Sequence, residues 1–498
     1  MLEALLLMAT CFAQDDPKPV LPVIHTTIVI TAQAPEEPSV DRRNAEVFSR
    51  TLFTRDDQIF HVLDAGINAG QHEGGGKSIE VRRFGFNLDH GGVNGGLKIL
   101  VDDVQQNQGT QGHGQGYLGS LKSLTPELVE EVNLINGPFS AEYGDFSGLG
   151  VVHIRTRESL PDRITVRLQA GSFGTGRAFL AYSPASPRVD SFLAYEGSRT
   201  DGPFLSPLRY GRDNFTGNYT RHWTQNRTFG VKFNGGLNRF YSSGQLPLDE
   251  VASGRLDRFG YVDPTDGGRS QAATLGGYFR QETAHGDVWK ADAFIQRSLL
   301  DLYSNFTFYL NDPVNGDGFL QHDSRLQEGA NGQYLHPHKF FTTQGVFTAG
   351  LNFEDSQINV GLDSRVGRMP VAPLTKALAR ITNGAGYVQE TVSLMHGKVQ
   401  LTGGLRADSF RFSVNGEAQT DAKWQPKASV AYTPTQRVPL TLYLNYGRGI
   451  SSADARGIVQ RPELPKIATT DFYQFGLSHR VRRFSWSNDF FWIDRSNE

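Results

Sequence analysis

From Ile164 onward the chain is written in segments of about eight to eleven residues in which apolar and polar side chains alternate. Residues 344–353 put Phe347, Ala349, Leu351 and Phe353 on one face, with Gln344, Thr348 and Asn352 on the other. Residues 399–408 set Val399, Leu401, Leu405 and Ala407 against Gln400, Thr402, Arg406 and Asp408. Leu440, Leu442, Leu444 and Tyr446 likewise oppose Thr441, Tyr443 and Asn445, and Phe484, Trp486, Phe490 and Trp492 oppose Arg483, Ser485, Ser487 and Asp489. Successive side chains of a strand point to opposite faces, so each segment is a strand with one apolar and one polar face. A soluble β-sandwich and a membrane barrel both meet that demand. The connections separate them: some are a few residues long, whereas others run through residues 200–214, 236–271, 310–329 and 447–470. Short turns at one end, long loops at the other and aromatic residues near strand ends fit a barrel with lipid outside and a polar interior. About 16–18 such strands can be counted by this spacing.

Composition removes other classes. The 498 residues carry a formal net charge of −3 with no block of like charge, so nucleic acid is not an expected partner. The 55 glycines suit turns and strands. The single cysteine, Cys11, lies in the first apolar run and leaves the rest of the chain without thiol chemistry. That run, residues 4–13, is shorter than the roughly 20 residues of a membrane helix and is expected to be a signal-peptide core cleaved after Ala13. No Lys or Arg precedes it, which points to a late start or a lost basic leader. With no other apolar span, a membrane form of this chain has to be a barrel.

Residues 126–157 hold the most distinctive local pattern. Thr125 and Pro126 read as the cap and first position of a short helix. Two strands follow, around Val132 and Leu134 and around Val151 and His153, divided by turn-rich Asn136-Gly137-Pro138 and Tyr143-Gly144-Asp145. The segment resembles the plug signature of TonB-dependent outer-membrane receptors: Gly137-Pro138, then Ser140-Ala141-Glu142-Tyr143-Gly144, a Gly148–Gly150 turn and a strand from Val151 to Arg157. Upstream, Val81-Arg82-Arg83-Phe84-Gly85-Phe86 looks like the family's Ile-x-Arg-Gly-Phe segment, and Leu100-Val101-Asp102-Asp103-Val104 looks like its Leu-Asp-Gly-Val strand. The chain departs from the family pattern where Asn136 replaces Arg, Arg83-Phe84 interrupts the Arg-Gly pair and Asp103 replaces Gly.

The resemblance implies an α+β plug inside a transmembrane antiparallel β-barrel of 22 strands, here incomplete at the last strands. The expected division is a signal peptide at 1–13, a flexible Pro- and acid-rich arm at 14–45, a plug at 46–157 and a partial barrel at 158–498. Within the arm, the β-branched run 26–32 is similar to a TonB box, with Thr27, Ile28, Val29, Ile30 and Thr31 pairing with an inner-membrane energy-coupling protein. An ordinary first plug strand is the alternative. An amphipathic helix is expected over 54–63.

Arg82, Phe84, Gly85, Asp102, Gly137, Pro138, Tyr143 and Gly144 carry the plug signature. Candidate ligand residues are Asp89, His90, Asn94, His113, Gln115 and Tyr117 in polar plug loops, joined by His322, His336 and His338 from a long barrel loop. The alternative is that these are hydrated hydrogen-bonding residues lining the plug–barrel seam. No catalytic motif is found, and no cofactor or metal is expected. Gly76-Lys77-Ser78 lacks the glycine and helix of a phosphate-binding loop. Residues 263–267 and 315–318 lack the spacing of a calcium hand. The expected function is energy-coupled uptake of a scarce large solute, such as a ferric siderophore-like chelate, cobalamin or an oligosaccharide, by a monomer in the outer membrane of a Gram-negative bacterium. A passive plugged porin and a surface adhesin or assembly barrel are the alternatives.

Overall fold

The computed structural model describes residues 40–44, 67–71, 77–81, 96–113, 117–340, 343–434, 440–481 and 484–496. The N-terminal arm with its run 26–32 and the helix expected at 54–63 lie outside the described residues.

The plug is built on a five-stranded sheet. Its strands are β1 (Val40–Asn44), β4 (Leu97–Val101), β5 (Val104–Gln105), β6 (Val129–Asn136) and β7 (Gly150–Thr156), in the order β1-β6-β7-β4-β5, while β2 (Ile67–Gln71) and β3 (Lys77–Val81) form a separate hairpin. The plug therefore begins ahead of residue 46, because Val40–Asn44, expected in the arm, pairs with β6. β6 and β7 pair antiparallel across the turn-rich knot, and β4 runs parallel to β7. Leu97, Ile99, Val132, Leu134, Val152 and Ile154 form the core of this sheet, and each contributes on the order of 1.5–3 kcal/mol by leaving water. The helix expected after Thr125 is one 3-10 turn, Pro126–Leu128, and the Thr125 hydroxyl donates to Glu196 at 3.4 Å instead of capping it.

The remaining fifteen strands form one antiparallel meander: β8 (Ile164–Ala170), β9 (Gly176–Tyr182), β10 (Val189–Thr200), β11 (Tyr210–Thr224), β12 (Arg227–Tyr241), β13 (Gly267–Glu282), β14 (Val288–Ser304), β15 (Phe319–Phe340), β16 (Thr343–Val366), β17 (Met369–Leu394), β18 (Val399–Val414), β19 (Glu417–Tyr432), β20 (Leu440–Ser452), β21 (Ile467–Val481) and β22 (Phe484–Ser496). The sheet wraps the plug, since Phe179 of β9 packs with plug Leu128, while Phe472 of β21 packs with the plug core. Among the described residues no ladder joins β8 to β22.

Alternation places the apolar residues outside. Leu168 and Leu351 keep 74% and 70% of their surface exposed, whereas their neighbours Arg167, Gln169 and Asn352 are less exposed. Among the described residues fifteen strands stand in place of the expected 16–18, and the expected long loops shrink to 201–209, 242–266, 305–318 and 453–466. The cause is strand length. β15, β16 and β17 run for 22, 24 and 26 residues, so their backbone ladders continue past the stretch where lipid enforces alternation. Above that stretch water wets both faces and the apolar rhythm fades while pairing persists. Two short helices sit in the long loops, α1 (Leu248–Ala252) and α2 (Ala455–Gln460). The long loops share one end of the sheet with the turns 171–175, 367–368 and 415–416, and the opposite end carries short turns. No helix among the described residues is long and apolar enough to cross a membrane.

Candidate functional site: the seam between plug and barrel

The signature turn docks backbone against backbone. A Cβ on Gly449 of β20 would lie 2.5 Å from Gly148 Cα, and one on Gly447 would lie 2.2 Å from the Pro138 carbonyl oxygen. Glycine is required there because two main chains approach more closely than any side chain permits. Asp145 forms a single bridge with Ile450, and its carboxylate accepts from Ser452 N at 2.7 Å and Ser452 Oγ at 2.6 Å. Burial pushes this carboxyl up to about 6, with the Ser452 bonds opposing. Beside it Arg406 of β18 donates to the Glu142 carbonyl at 2.9 Å while gripping Asp408 at 2.6 and 3.0 Å, and a Cβ on Gly144 would meet this guanidinium at 2.5 Å. Gly137, at φ +97°, leaves room for the ring of Phe139, which packs edge-on against Phe472 at 5.4 Å. Tyr143 lies edge-on to His153, and burial raises its hydroxyl well above the ordinary range.

A second contact lies at the turn between β4 and β5. Asp102 and Asp103 both have positive φ, 48° and 69°, the backbone of a two-residue hairpin turn in which asparagine, aspartate and glycine are favoured. The Asp102 carboxylate accepts from Thr156 N at 2.9 Å, Thr156 Oγ at 2.5 Å and Lys232 Nζ of β12 at 2.8 Å. Asp103 lies 3.1 Å from His153 Nε2. Burial opposes ionisation of Asp103, but His153 and Arg155 outweigh it and hold the carboxyl below the ordinary carboxylate range.

The third contact is a buried chain of charge. Glu127 of the plug takes two bonds of 2.7 Å from Arg177 of β9, Arg177 donates onward to Glu196 of β10 at 2.7 Å, and Arg212 of β11 also donates to Glu196. Asn214 completes it with bonds of 3.0 Å to both Glu196 and the Lys122 carbonyl. All four charged side chains are nearly inaccessible and serve as one another's close ionic partners, with the more exposed Arg167 3.8 Å from Glu127 as a further cation.

At the long-loop end the plug segment 105–113 is covered. α2 carries Ile458 and Val459 into an apolar cluster with Ile358, Phe410 and Phe412 of the barrel wall. Asp454 caps this helix by accepting from Arg456 N at 2.8 Å, Ala455 N donates to Thr110 Oγ at 2.8 Å, and Arg456 donates to the Gln111 carbonyl at 3.1 Å. Lys98, beneath this segment, donates to Gln105 at 2.7 Å, and burial lowers its ammonium despite Glu354.

Of the candidate ligand residues, His113 and Tyr117 are buried here. The His113 ring bonds Gln321 of β15 through Nδ1 and stacks edge-on against Tyr117 at 5.0 Å. Asp89, His90, Asn94 and Gln115, together with Arg82, Phe84 and Gly85, lie outside the described residues, as do Thr27, Ile28, Val29, Ile30 and Thr31. His322, His336 and His338 are not loop residues. They belong to β15, with His322 at its long-loop end bonding Asp301 at 2.6 Å and the other two at the short-turn end, His336 bonding Asp287 at 2.6 Å. A single strand cannot bring both ends to one site. The carboxylates of 263–267 and 315–318 are engaged by protein groups: Asp317 accepts from Asn311 N and Asp312 N of its own loop, and Asp263 from Thr265 N and from Arg365 of β16. Lys77 and Ser78 open a strand, not a helix.

The barrel side of the seam was the part sequence reasoning left unassigned. Lys232, Arg177, Glu196, Arg212 and Ser452 carry no motif. Their one signal is their place on the polar face of alternating strands, which Arg406 and Asp408 share.

A meander that encloses a small mixed sheet, docked through a glycine-rich turn, defines a plugged barrel, and the comparisons agree. A family model described as "TonB dependent receptor-like, beta-barrel" matches residues 171–498, and one described as "TonB-dependent Receptor Plug Domain" matches residues 38–151. The chain belongs to the TonB-dependent receptor family. It is 28% identical over 259 residues to the vitamin B12 transporter BtuB of Vibrio vulnificus (strain CMCP6), a match covering 48% of this chain and 38% of that one. Among solved structures it is similar to the unliganded ferric citrate transporter FecA, with TM-score 0.75 and 13% identity over 92% of this chain and 69% of that one. P. aeruginosa FpvA bound to heterologous pyoverdines gives TM-score 0.74 and 13% identity over 93% of this chain and 64% of that one. The chain thus spans less than two thirds of the B12 transporter and of FpvA.

Proposed function

We propose that the protein is an outer-membrane receptor that imports a scarce, large solute with energy supplied by a TonB-type inner-membrane partner. The observation that carries this reading is the chemistry of the seam. Beside apolar contacts at Phe179 and Phe472, the plug meets the barrel wall through hydrogen bonds and ion pairs, at Asp102–Lys232, Asp145–Ser452, Glu127–Arg177 and Arg406–Glu142. Water can replace such contacts as they open, and each is worth only about 0.5–1.5 kcal/mol net, or about 1.5–3 where a charge takes part. A seam of this kind holds at rest and yields to pulling. The arm at 26–32 would take the pull, with Thr27, Ile28, Val29, Ile30 and Thr31 adding a strand to the partner. No step makes or breaks a covalent bond, so the protein works as a transporter and not as an enzyme.

The solute belongs to the class of ferric siderophore-like chelates, cobalamin or oligosaccharides. Asp89, His90, Asn94, His113, Gln115 and Tyr117 would contact it once α2 withdraws from segment 105–113. The B12, ferric citrate and pyoverdine relatives lend this weight as analogy only. The test is accumulation of labelled members of each class by cells carrying the protein, with and without a protonophore. One class should accumulate only in energised cells. Equal accumulation after uncoupling would make the protein a passive plugged porin, and no accumulation of any class would leave an adhesin or assembly barrel.

A further inference from the structure

At the short-turn end of the lumen three ligating side chains from three separate segments converge. Glu158 belongs to the connection between the last plug strand and the first barrel strand, Asp190 opens β10 and His222 lies near the end of β11. One ligand atom from each lies within 4.8 Å of the other two. His222 Nε2 is 2.7 Å from Asp190 Oδ2, and both side chains are a little over one-third exposed. We propose that Glu158, Asp190 and His222 form a site for a divalent transition cation, with Zn2+ the best match, that staples the plug-to-barrel connection to the barrel rim.

The surroundings are built for ligation. His222 Nδ1 is 3.2 Å from Thr228 Oγ, a partner that fixes the ring with Nε2 toward Asp190. Glu158 Oε1 accepts from the Tyr278 hydroxyl at 2.9 Å, which in turn bonds Thr220 at 2.5 Å. Tyr278 reaches that place because residue 230 is glycine: a Cβ there would lie 2.2 Å from the tyrosine ring. Asn218 anchors the same connection, donating to the Glu158 carbonyl at 2.7 Å and the Asp190 carbonyl at 3.2 Å. Arg280 is within electrostatic reach of Glu158 and offers charge but no lone pair. Ligands around Zn2+ sit about 2.0–2.2 Å from the ion, so neighbouring ligand atoms lie a little over 3 Å apart. The observed spread brackets that separation, and small side-chain rotations reach it. One imidazole and two carboxylates suit Zn2+ better than Mg2+ or Ca2+, which favour all-oxygen shells, and water would complete the coordination.

The test is titration of Zn2+ into the full chain in detergent by isothermal calorimetry, with Co2+ absorption as a second readout. The expected result is one saturable site, weakened at least about tenfold in His222→Ala and in Glu158→Gln, with loss of the Co2+ bands. Gly230→Ala, which displaces Tyr278 without touching a ligand, should weaken binding too. The double variant His336→Ala/His338→Ala should leave it unchanged. Each variant is checked for a normal heat-modifiable band. Absence of saturable binding, wild-type affinity in correctly folded His222→Ala and Glu158→Gln, or loss of binding in the double variant would overturn the proposal.

Discussion

Asp145 shows how a single carboxyl can make the seam sensitive to pH. Its folded-state pKa, pushed up to about 6 by burial, lies above the ordinary carboxylate value of about 3.9. The folded protein therefore binds more protons than the unfolded chain between those values, and stability from this group falls as pH rises through about 4 to 6 and then levels. The magnitude is on the order of 2–3 kcal/mol. Asparagine in its place can still accept at Oδ1 from Phe146 N and Ser452 N while its amide faces the Ser452 hydroxyl. Asp145→Asn should thus be at least as stable as wild type at pH 7.5 and show a flatter dependence over pH 4–6, as read by thermal unfolding in detergent. Arg177 is the opposite case. Its loss would strip buried Glu127 of its two-bonded cation and leave buried Glu196 with Arg212 alone, so Arg177→Ala should cost about 3–5 kcal/mol. Arg199, paired with Asp213 in a largely exposed setting, should cost only about 0–1 kcal/mol when changed to alanine. Equal losses in unfolding experiments would contradict the seam's reliance on its buried charges.

The elements that matter are the signature turn and the strand that receives it. Substituting Gly449 by alanine sets a methyl group 2.5 Å from Gly148 Cα, a main-chain atom that cannot rotate away. The barrel should still assemble, but the plug should be unseated and cut by protease at concentrations the wild type survives. Gly403 on β18 has open space around its Cβ direction, and its alanine variant should stay within about 0.5 kcal/mol of wild type. Gly144 is intermediate, because its obstacle is the Arg406 guanidinium, the end of a flexible side chain. Three steric surroundings thus give three sizes of effect for the same added methyl group.

At the scale of the whole molecule, much of the architecture was legible. The alternation around Leu351, Leu405 and Leu444 placed lipid-facing and lumen-facing residues correctly, and the motif from Gly137 to Arg157 marked the plug, whereas around Trp492 the rhythm breaks, with Phe491 exposed and Ile493 packed on the plug core. Strand length was not legible, since β17 continues for 26 residues into a region where no apolar face is needed. Nor were the seam partners. Asp102 and Lys232 are 130 positions apart, and Asp145 and Ser452 are 307 apart. Local periodicity says that Lys232 faces inward but not which plug group it meets, because that depends on how the plug is rotated within the barrel. The same holds for His113, legible as a polar loop residue but not as one packed against Gln321.

In the proposed function, a pull on the N-terminal arm opens the seam. That coupling is tested most directly by deleting residues 26–32 and measuring uptake of whichever solute energised wild-type cells accumulate. Surface binding should persist while uptake falls to the level of uncoupled cells. Wild-type uptake in the deletion variant would contradict it.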